Sequence, residues 1–205
     1  MRVADGYTYS YLLGMYLGDG CVSDSGRSYQ LRISLDAIYP DIVDECVTAV
    51  VLTTVGRRVY VRNVKGSRVA IVESSWKRWP ELLPQHGPGH KHERPIALEA
   101  WQRRVVDAQP EQFLRGLIHS DGCRTINRFK VKLPSGRVGE YEYPRYFFSN
   151  LSPDIRRLFC EYCERLGVRW TQSNRRNISV SHRDSVACLD EFVGPKSAMY
   201  PPALG

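Results

Sequence analysis

The chain lacks several features that would assign it at once. No apolar run approaches the roughly 20 residues that a membrane helix needs, so no membrane partner is expected. The opening Met-Arg-Val-Ala-Asp-Gly-Tyr has no apolar signal core, and a cytoplasmic protein is expected. There is no glycine-rich nucleotide loop and no serine-hydrolase elbow. A chain of 205 residues without a secretion signal needs no disulfide framework, so its six cysteines are read as free, buried thiols. That includes Cys160-x-x-Cys163, which falls inside a helical pattern with Ile155, Phe159 and Leu166 and is read as core rather than a zinc or redox site.

Acid is missing from three stretches. Residues 46–72 carry Arg57, Arg58, Arg62, Lys65 and Arg68; residues 123–139 carry Arg124, Arg128, Lys130, Lys132 and Arg137; residues 165–183 carry Arg165, Arg169, Arg175, Arg176 and Arg183. None of the three contains Asp or Glu. The net charge of +7 alone says little, but acid-free basic blocks on strand-like segments point to a surface that tracks phosphates.

What is present is a repeat. Tyr11-Leu-Leu-Gly-Met-Tyr-Leu-Gly-Asp-Gly-Cys21 and Phe113-Leu-Arg-Gly-Leu-Ile-His-Ser-Asp-Gly-Cys123 share one pattern, half a chain apart. The segments after each copy also correspond. After the first come a strand over 29–35, a helix over 41–55, strands over 58–64 and 69–72, and a short helix over 76–83. After the second come strands over 127–133 and 145–149, joined through Pro134-Ser135-Gly136, then a helix capped by Ser152 with Pro153 in its first turn. Strands over 168–172 and 177–181 and a helix over 184–193 complete that half. Each half reads αββαββα, an α+β class: residues 1–83, a Pro- and Gly-rich linker over 84–106, and residues 107–205. A helix over 101–108 leads into the second copy.

Within each motif the small residues lie four apart: Gly14 and Gly18, Gly116 and Ser120. Glycine inside a helix costs about 1 kcal/mol relative to alanine, and close backbone approach of the two motif helices supplies the reason. Leu12, Leu13, Met15, Leu117 and Ile118 are then free to bury into the halves. If the helices pair in parallel, Asp19 and Asp121 come together at two negative helix ends, each followed by a glycine suited to a left-handed cap. Paired carboxylates with helix-end carbonyls (Gly18, Ser120) repel one another unless a hard divalent cation, Mg²⁺ or Mn²⁺, joins them. Held against a phosphate, such ions support in-line phosphodiester displacement.

These two motifs resemble those of single-chain LAGLIDADG homing endonucleases, and the αββαββα halves are similar to that family's half-domains over nearly the whole chain. The resemblance implies saddle-shaped antiparallel sheets lying in the major groove of double-stranded DNA. It also implies metal-dependent cutting of both strands at a long asymmetric site by a monomer with no obligate protein partner. The family's catalytic aspartates correspond to Asp19 and Asp121. Its commoner acid two residues earlier is Leu17 here and His119 in the second copy, and His119 is read as structural. The family orders water near the metals with a lysine or glutamine; Lys130 and Lys132 in the second half, Gln30 and Lys65 in the first, are the candidates. Two other readings remain: a DNA-binding regulator of this fold without catalysis, and an RNA-splicing maturase.

Strand parity predicts the reading face. Gln30, Arg32 and Ser34 share one side, with Leu31, Ile33 and Leu35 on the other; Arg128, Lys130 and Lys132 alternate with Phe129, Val131 and Leu133. Arg can grip guanine, and Gln adenine, through bidentate bonds. With Arg58, Arg62, Lys65, Arg68, Arg175, Arg176 and Arg183, these make the expected DNA contacts. His86, His90 and His92 in the linker are read as touching DNA rather than as metal ligands.

Overall fold

The computed structural model describes residues 3–132 and 134–194. Its first half runs α1 (Gly6–Asp19), β1 (Gly20–Asp24), β2 (Tyr29–Asp36), α2 (Pro40–Thr53), β3 (Tyr60–Asn63), β4 (Val69–Trp76) and α3 (Trp79–Leu82). Residues 83–99 cross to the second half with one 3₁₀ turn, Lys91–Glu93, and α4 (Ala100–Asp107) follows. The second half repeats the order: α5 (Pro110–Asp121), β5 (Gly122–Lys132), β6 (Val138–Ser149), α6 (Pro153–Arg165), β7 (Thr171–Gln172), β8 (Asn177–Val180) and α7 (Arg183–Val193). Each half carries one antiparallel four-stranded sheet, ordered β1-β2-β4-β3 and β5-β6-β8-β7. The αββαββα order holds for both halves, and β1 (Gly20–Asp24) is a strand of the first half that the sequence pattern did not show. Leu133, where the sequence ended a strand, and residues 195–205 of the expected second half lie outside the described residues.

Local chemistry explains the boundaries. Asp5 caps α1, its carboxylate accepting the backbone N–H groups of Tyr7 and Thr8 at 3.1 and 3.2 Å, with the Thr8 hydroxyl bonded to it as well. Ser152 caps α6, and Gly167, at φ +68°, follows it in a left-handed conformation. The glycines after the two motifs behave otherwise. Gly20 (φ −94°) and Gly122 (φ −109°) are extended, not left-handed. A Cβ on Gly20 would meet the Tyr16 carbonyl oxygen at 2.8 Å, and one on Gly122 the Ile118 carbonyl oxygen at 2.9 Å. Each strand leaves its helix so tightly that no side chain fits.

The core is continuous through both halves. Leu12, Leu13, Met15, Leu117 and Ile118 are all fully buried, together with Phe113, Tyr146, Phe148 and Trp79. The segment between the halves is packed rather than loose: Leu83, Ile96 and Leu98 are buried, and Gln85 bonds the Ala97 carbonyl and the buried Gln102 side chain at 2.7 and 2.6 Å. Gln102 reaches the Tyr9 hydroxyl at 2.8 Å, tying the segment to α1. Cys46, Cys160 and Cys163 are buried core thiols, and Cys188 is half-buried. Cys21 and Cys123 depart from the expectation and are exposed, because the strands after the motifs turn those side chains outward. No described helix is long and apolar enough to cross a membrane.

Candidate active site and nucleic-acid interface

The two motif helices pack in parallel through their small residues. A Cβ on Gly14 would lie 2.5 Å from the Phe113 carbonyl oxygen, 2.7 Å from the Leu117 nitrogen and 2.9 Å from the Gly116 Cα; one on Gly116 would run into the Tyr11 carbonyl. One turn later Gly18 faces Ser120, and a Cβ there would be 3.1 Å from Asp121 Oδ2. Gly14 opposite Gly116 and Gly18 opposite Ser120 is a parallel register, so Asp19 and Asp121 converge at the same end of the pair.

Two groups that sequence reasoning missed complete this end. The Asn150 side-chain amide donates to Asp121 Oδ2 at 2.5 Å, while its own oxygen accepts the Ser152 N–H at 2.7 Å. The Lys91 ammonium donates to the carbonyls of Tyr16, Leu17 and Gly18 at 2.5, 2.7 and 2.9 Å and sits 5.0 Å from the centre of the Tyr16 ring. Its burial pushes its pKa down to about 8, against the pull of Asp121 and Asp19. A lysine in a linker carries no spacing signal. Its neighbours His90 and His92, stacked at 5.3 Å, line the same cavity of about 270 Å³ with Asp121 and Asn150.

No group of three or more His, Cys, Asp or Glu side chains among the described residues forms a closed metal site. Two carboxylates and helix-end carbonyls are the oxygen donors that a hard divalent ion prefers, and its remaining ligands would have to come from outside the chain. The Gly18 carbonyl, expected as a ligand, is bonded to Lys91. The Ser120 hydroxyl donates to the carbonyls of Gly116 and Leu117, both at 3.0 Å. His119 is a buried structural group: Nε2 donates to the Val193 carbonyl at 2.6 Å, and Nδ1 is hydrogen-bonded to the Tyr11 hydroxyl at 2.9 Å, with the Glu45 carboxylate 3.8 Å away.

Neither Lys130 nor Lys132 reaches the aspartates. Lys130 stands eight residues beyond Gly122, roughly 26 Å along an extended strand, and it pairs with Glu140 at 2.5 Å. Lys65 lies in the turn after the far edge strand, three strands from β1, or roughly 15 Å at the usual strand spacing. Gln30 lies on β2, three residues along from the Gly20–Ile33 rung.

Each sheet has one helix-covered face and one open face. In the first sheet Leu31, Ile33, Leu35, Ala70 and Val72 are buried, leaving Gln30, Arg32, Ser34, Tyr60, Arg62 and Glu73 on the open side as the parity of β2 predicted. Arg32 donates to Ser23 at 3.2 Å, and Arg62 pairs with Glu73 at 3.2 Å. In the second sheet the expected parity is reversed. Gly122 pairs with buried Phe148 and Arg124 with buried Tyr146, and the unbroken register puts Arg128, Lys130 and Lys132 on that same, helix-side face. The open side carries Thr125, Asn127, Phe129, Val131, Tyr141, Tyr143, Arg145 and Phe147. Phe129 stacks on Tyr141 at 5.4 Å, and the Arg145 guanidinium lies 4.1 Å from the Phe147 ring centre. This half presents an aromatic surface where a basic one was expected.

The acid-free blocks are not acid-free in space. Antiparallel pairing and helix packing set Arg128 against Glu142, Arg68 against Asp36 and Arg124 against Asp190, each at 2.8 Å. Arg58, Lys65, Arg175 and Arg176 are exposed in loops and turns, and Arg183 opens α7 in the helical layer rather than lying on a strand.

Comparison with solved structures defines the fold. I-DmoI in complex with DNA and Mn superposes with a TM-score of 0.55 at 15% identity, covering 93% of this chain and 98% of that one. The LAGLIDADG meganuclease I-AabMI bound to uncleaved DNA gives 0.55 at 11% identity, covering 92% and 84%. Full-length DUF199/WhiA from Thermatoga maritima gives 0.60 at 13% identity; it covers 97% of this chain, which spans only 59% of that protein. No protein-family model matches the sequence, and no curated protein does. The chain has the two-motif LAGLIDADG homing-endonuclease fold.

Proposed function

We propose that the chain is a divalent-metal-dependent endonuclease that cuts double-stranded DNA at a long asymmetric site. The observation that carries this reading is the convergence of Asp19 and Asp121 at one end of two parallel helices in backbone contact, with an open-faced sheet on each side. The neighbouring I-DmoI structures hold DNA with Mn and with Ca. In this chain Asp19 and Asp121 would supply the carboxylate ligands. A bound Mg²⁺ or Mn²⁺ would supply charge for the attacking and leaving oxygens. Asn150 orients Asp121 through its 2.5 Å bond. Gln30, Arg32, Ser34 and Arg62 read DNA from the first sheet, with Asn127 and Arg145 in the second replacing Arg128, Lys130 and Lys132. A single chain supplies both halves, so no second copy is required.

One observation favours a second reading, DNA binding without cleavage: an ammonium group already rests on the Gly18 carbonyl. The deciding experiment selects bound duplexes from a fragmented genomic library in Ca²⁺ and exchanges them into Mg²⁺. Double-strand cutting at one position supports the endonuclease; enrichment with intact duplexes supports the binding protein.

A further inference from the structure

The Lys91 ammonium makes more contacts than a solvated linker lysine would. Three consecutive carbonyls of the last turn of α1 accept from it, all between 2.5 and 2.9 Å. These carbonyls lie at the negative end of the helix dipole, and that of Tyr16 also accepts a backbone bond, from the Gly20 N–H. The Asp121 side chain lines the same cavity as the ammonium. Its electrostatic surroundings are therefore those of a bound cation, supplied by the chain itself.

The backbone bearing Lys91 is braced. Arg94 donates to the carbonyls of Pro88 and Gly89 at 3.0 Å and of Gln85 at 2.9 Å, and Glu93 accepts the His90 N–H at 3.1 Å. The Ile96 N–H donates to Asp154 at 2.9 Å, anchoring the segment to the second half. The cavity beside Lys91, lined by Gly18, Asp121 and Asn150, gives the side chain room to swing while this backbone stays put.

We propose that Lys91 is a tethered counter-ion of the two-aspartate site, and that a divalent ion enters only by displacing its ammonium from the Gly18 carbonyl. The inference rests on reading Asp19 and Asp121 as metal ligands. A divalent ion binds a carbonyl oxygen at about 2.1 Å, and the ammonium lies 2.9 Å from that oxygen. With both in place, two cations would stand at most about 5 Å apart, a repulsion that the partly enclosed site screens poorly. The lysine therefore keeps the carboxylates apart from adventitious ions until stronger ligands, such as DNA phosphates, favour the exchange.

The test uses the full chain without DNA and Mn²⁺ as the probe, followed by calorimetry. Lys91→Met should bind Mn²⁺ about tenfold or more tightly than the wild type, and Lys91→Arg no more tightly. Adding Asp19→Asn to Lys91→Met should abolish the gain. Equal or weaker Mn²⁺ binding by a folded Lys91→Met overturns the proposal. Because that variant removes a donor from three carbonyls, amine acylation of the wild type, read by mass spectrometry, provides an independent arm. Saturating Mn²⁺ should raise labelling of Lys91 severalfold and leave exposed Lys65 unchanged; unchanged labelling of Lys91 also overturns it. Neither readout involves cutting, so failure of the endonuclease reading appears separately, in the cleavage assay.

Discussion

The packing of α1 on α5 makes Gly14→Ala the sharpest test of how the fold sets the site. The added methyl would sit 2.5 Å from the Phe113 oxygen, 2.7 Å from the Leu117 nitrogen and 2.9 Å from the Gly116 Cα. All three are backbone atoms of the facing helix, so no rotamer change relieves the clash. Ordinary contact begins near 3.4 Å, and the helices must part by about 0.9 Å at this crossing. Alanine returns about 1 kcal/mol of helix propensity, whereas overpacking costs about 1–3 kcal/mol and more where nothing can yield. A net loss of about 2 kcal/mol is expected, which lowers the melting temperature by about 4–8 °C for a domain of this size. Parting the helices also shifts the two aspartates, and a misplacement near 1 Å costs about a hundredfold in rate. Gly6→Ala is the control: its methyl meets only the Val105 Cγ1, at 3.2 Å, and should be neutral or slightly stabilising. Thermal denaturation and single-turnover cleavage of both variants decide it; a Gly14→Ala protein as stable and as fast as the wild type refutes the reasoning.

Three further outcomes follow. Asp5→Ala should cost about 1 kcal/mol by removing the α1 cap. The Thr8 hydroxyl holds the Asp5 carboxyl below its ordinary range, so the deficit is present above the unfolded pKa near 3.8 and fades as pH falls through the folded value, as acid titration of both proteins would show. Arg32→Ala should weaken binding to the selected duplex by about 1–3 kcal/mol if it reads a base, while Lys130→Ala, on the helix-side face and paired with Glu140, should change it little in a titration at fixed salt. Asn150→Ala should lower Mn²⁺ affinity by about 10–100-fold, the usual cost of losing a group that orients a ligand, with DNA affinity in Ca²⁺ close to wild type.

The doubled motif was legible because its chemistry is local. Glycines four apart, an aspartate and a following glycine predict a close helix pair and converging acids without any tertiary information. The parity of β2 was legible for the same reason, since Leu31, Ile33 and Leu35 alternate cleanly. The parity of β5 was not: Phe129 and Val131 look like core, yet they belong to an aromatic ladder on the open face, and the inward side is set by Gly122 and Arg124 pairing with Phe148 and Tyr146. The basic blocks misled because strand pairing and packing bring Glu73, Glu142 and Asp190 to arginines that stand far from them in sequence. Gly20 and Gly122 were rightly singled out but for the wrong geometry, close approach rather than positive φ. Lys91 and Asn150 act across contacts of 73 and 29 residues, which no local pattern records.

The most direct measurement is cleavage of the Ca²⁺-selected duplex after exchange into Mg²⁺, run side by side with wild type, Asp19→Asn and Asp121→Asn. The account predicts that the wild type cuts both strands at one position, while each variant binds the same duplex and cuts at least a hundredfold more slowly. A variant that cuts at the wild-type rate, or a wild type that binds the duplex and leaves it intact, contradicts it.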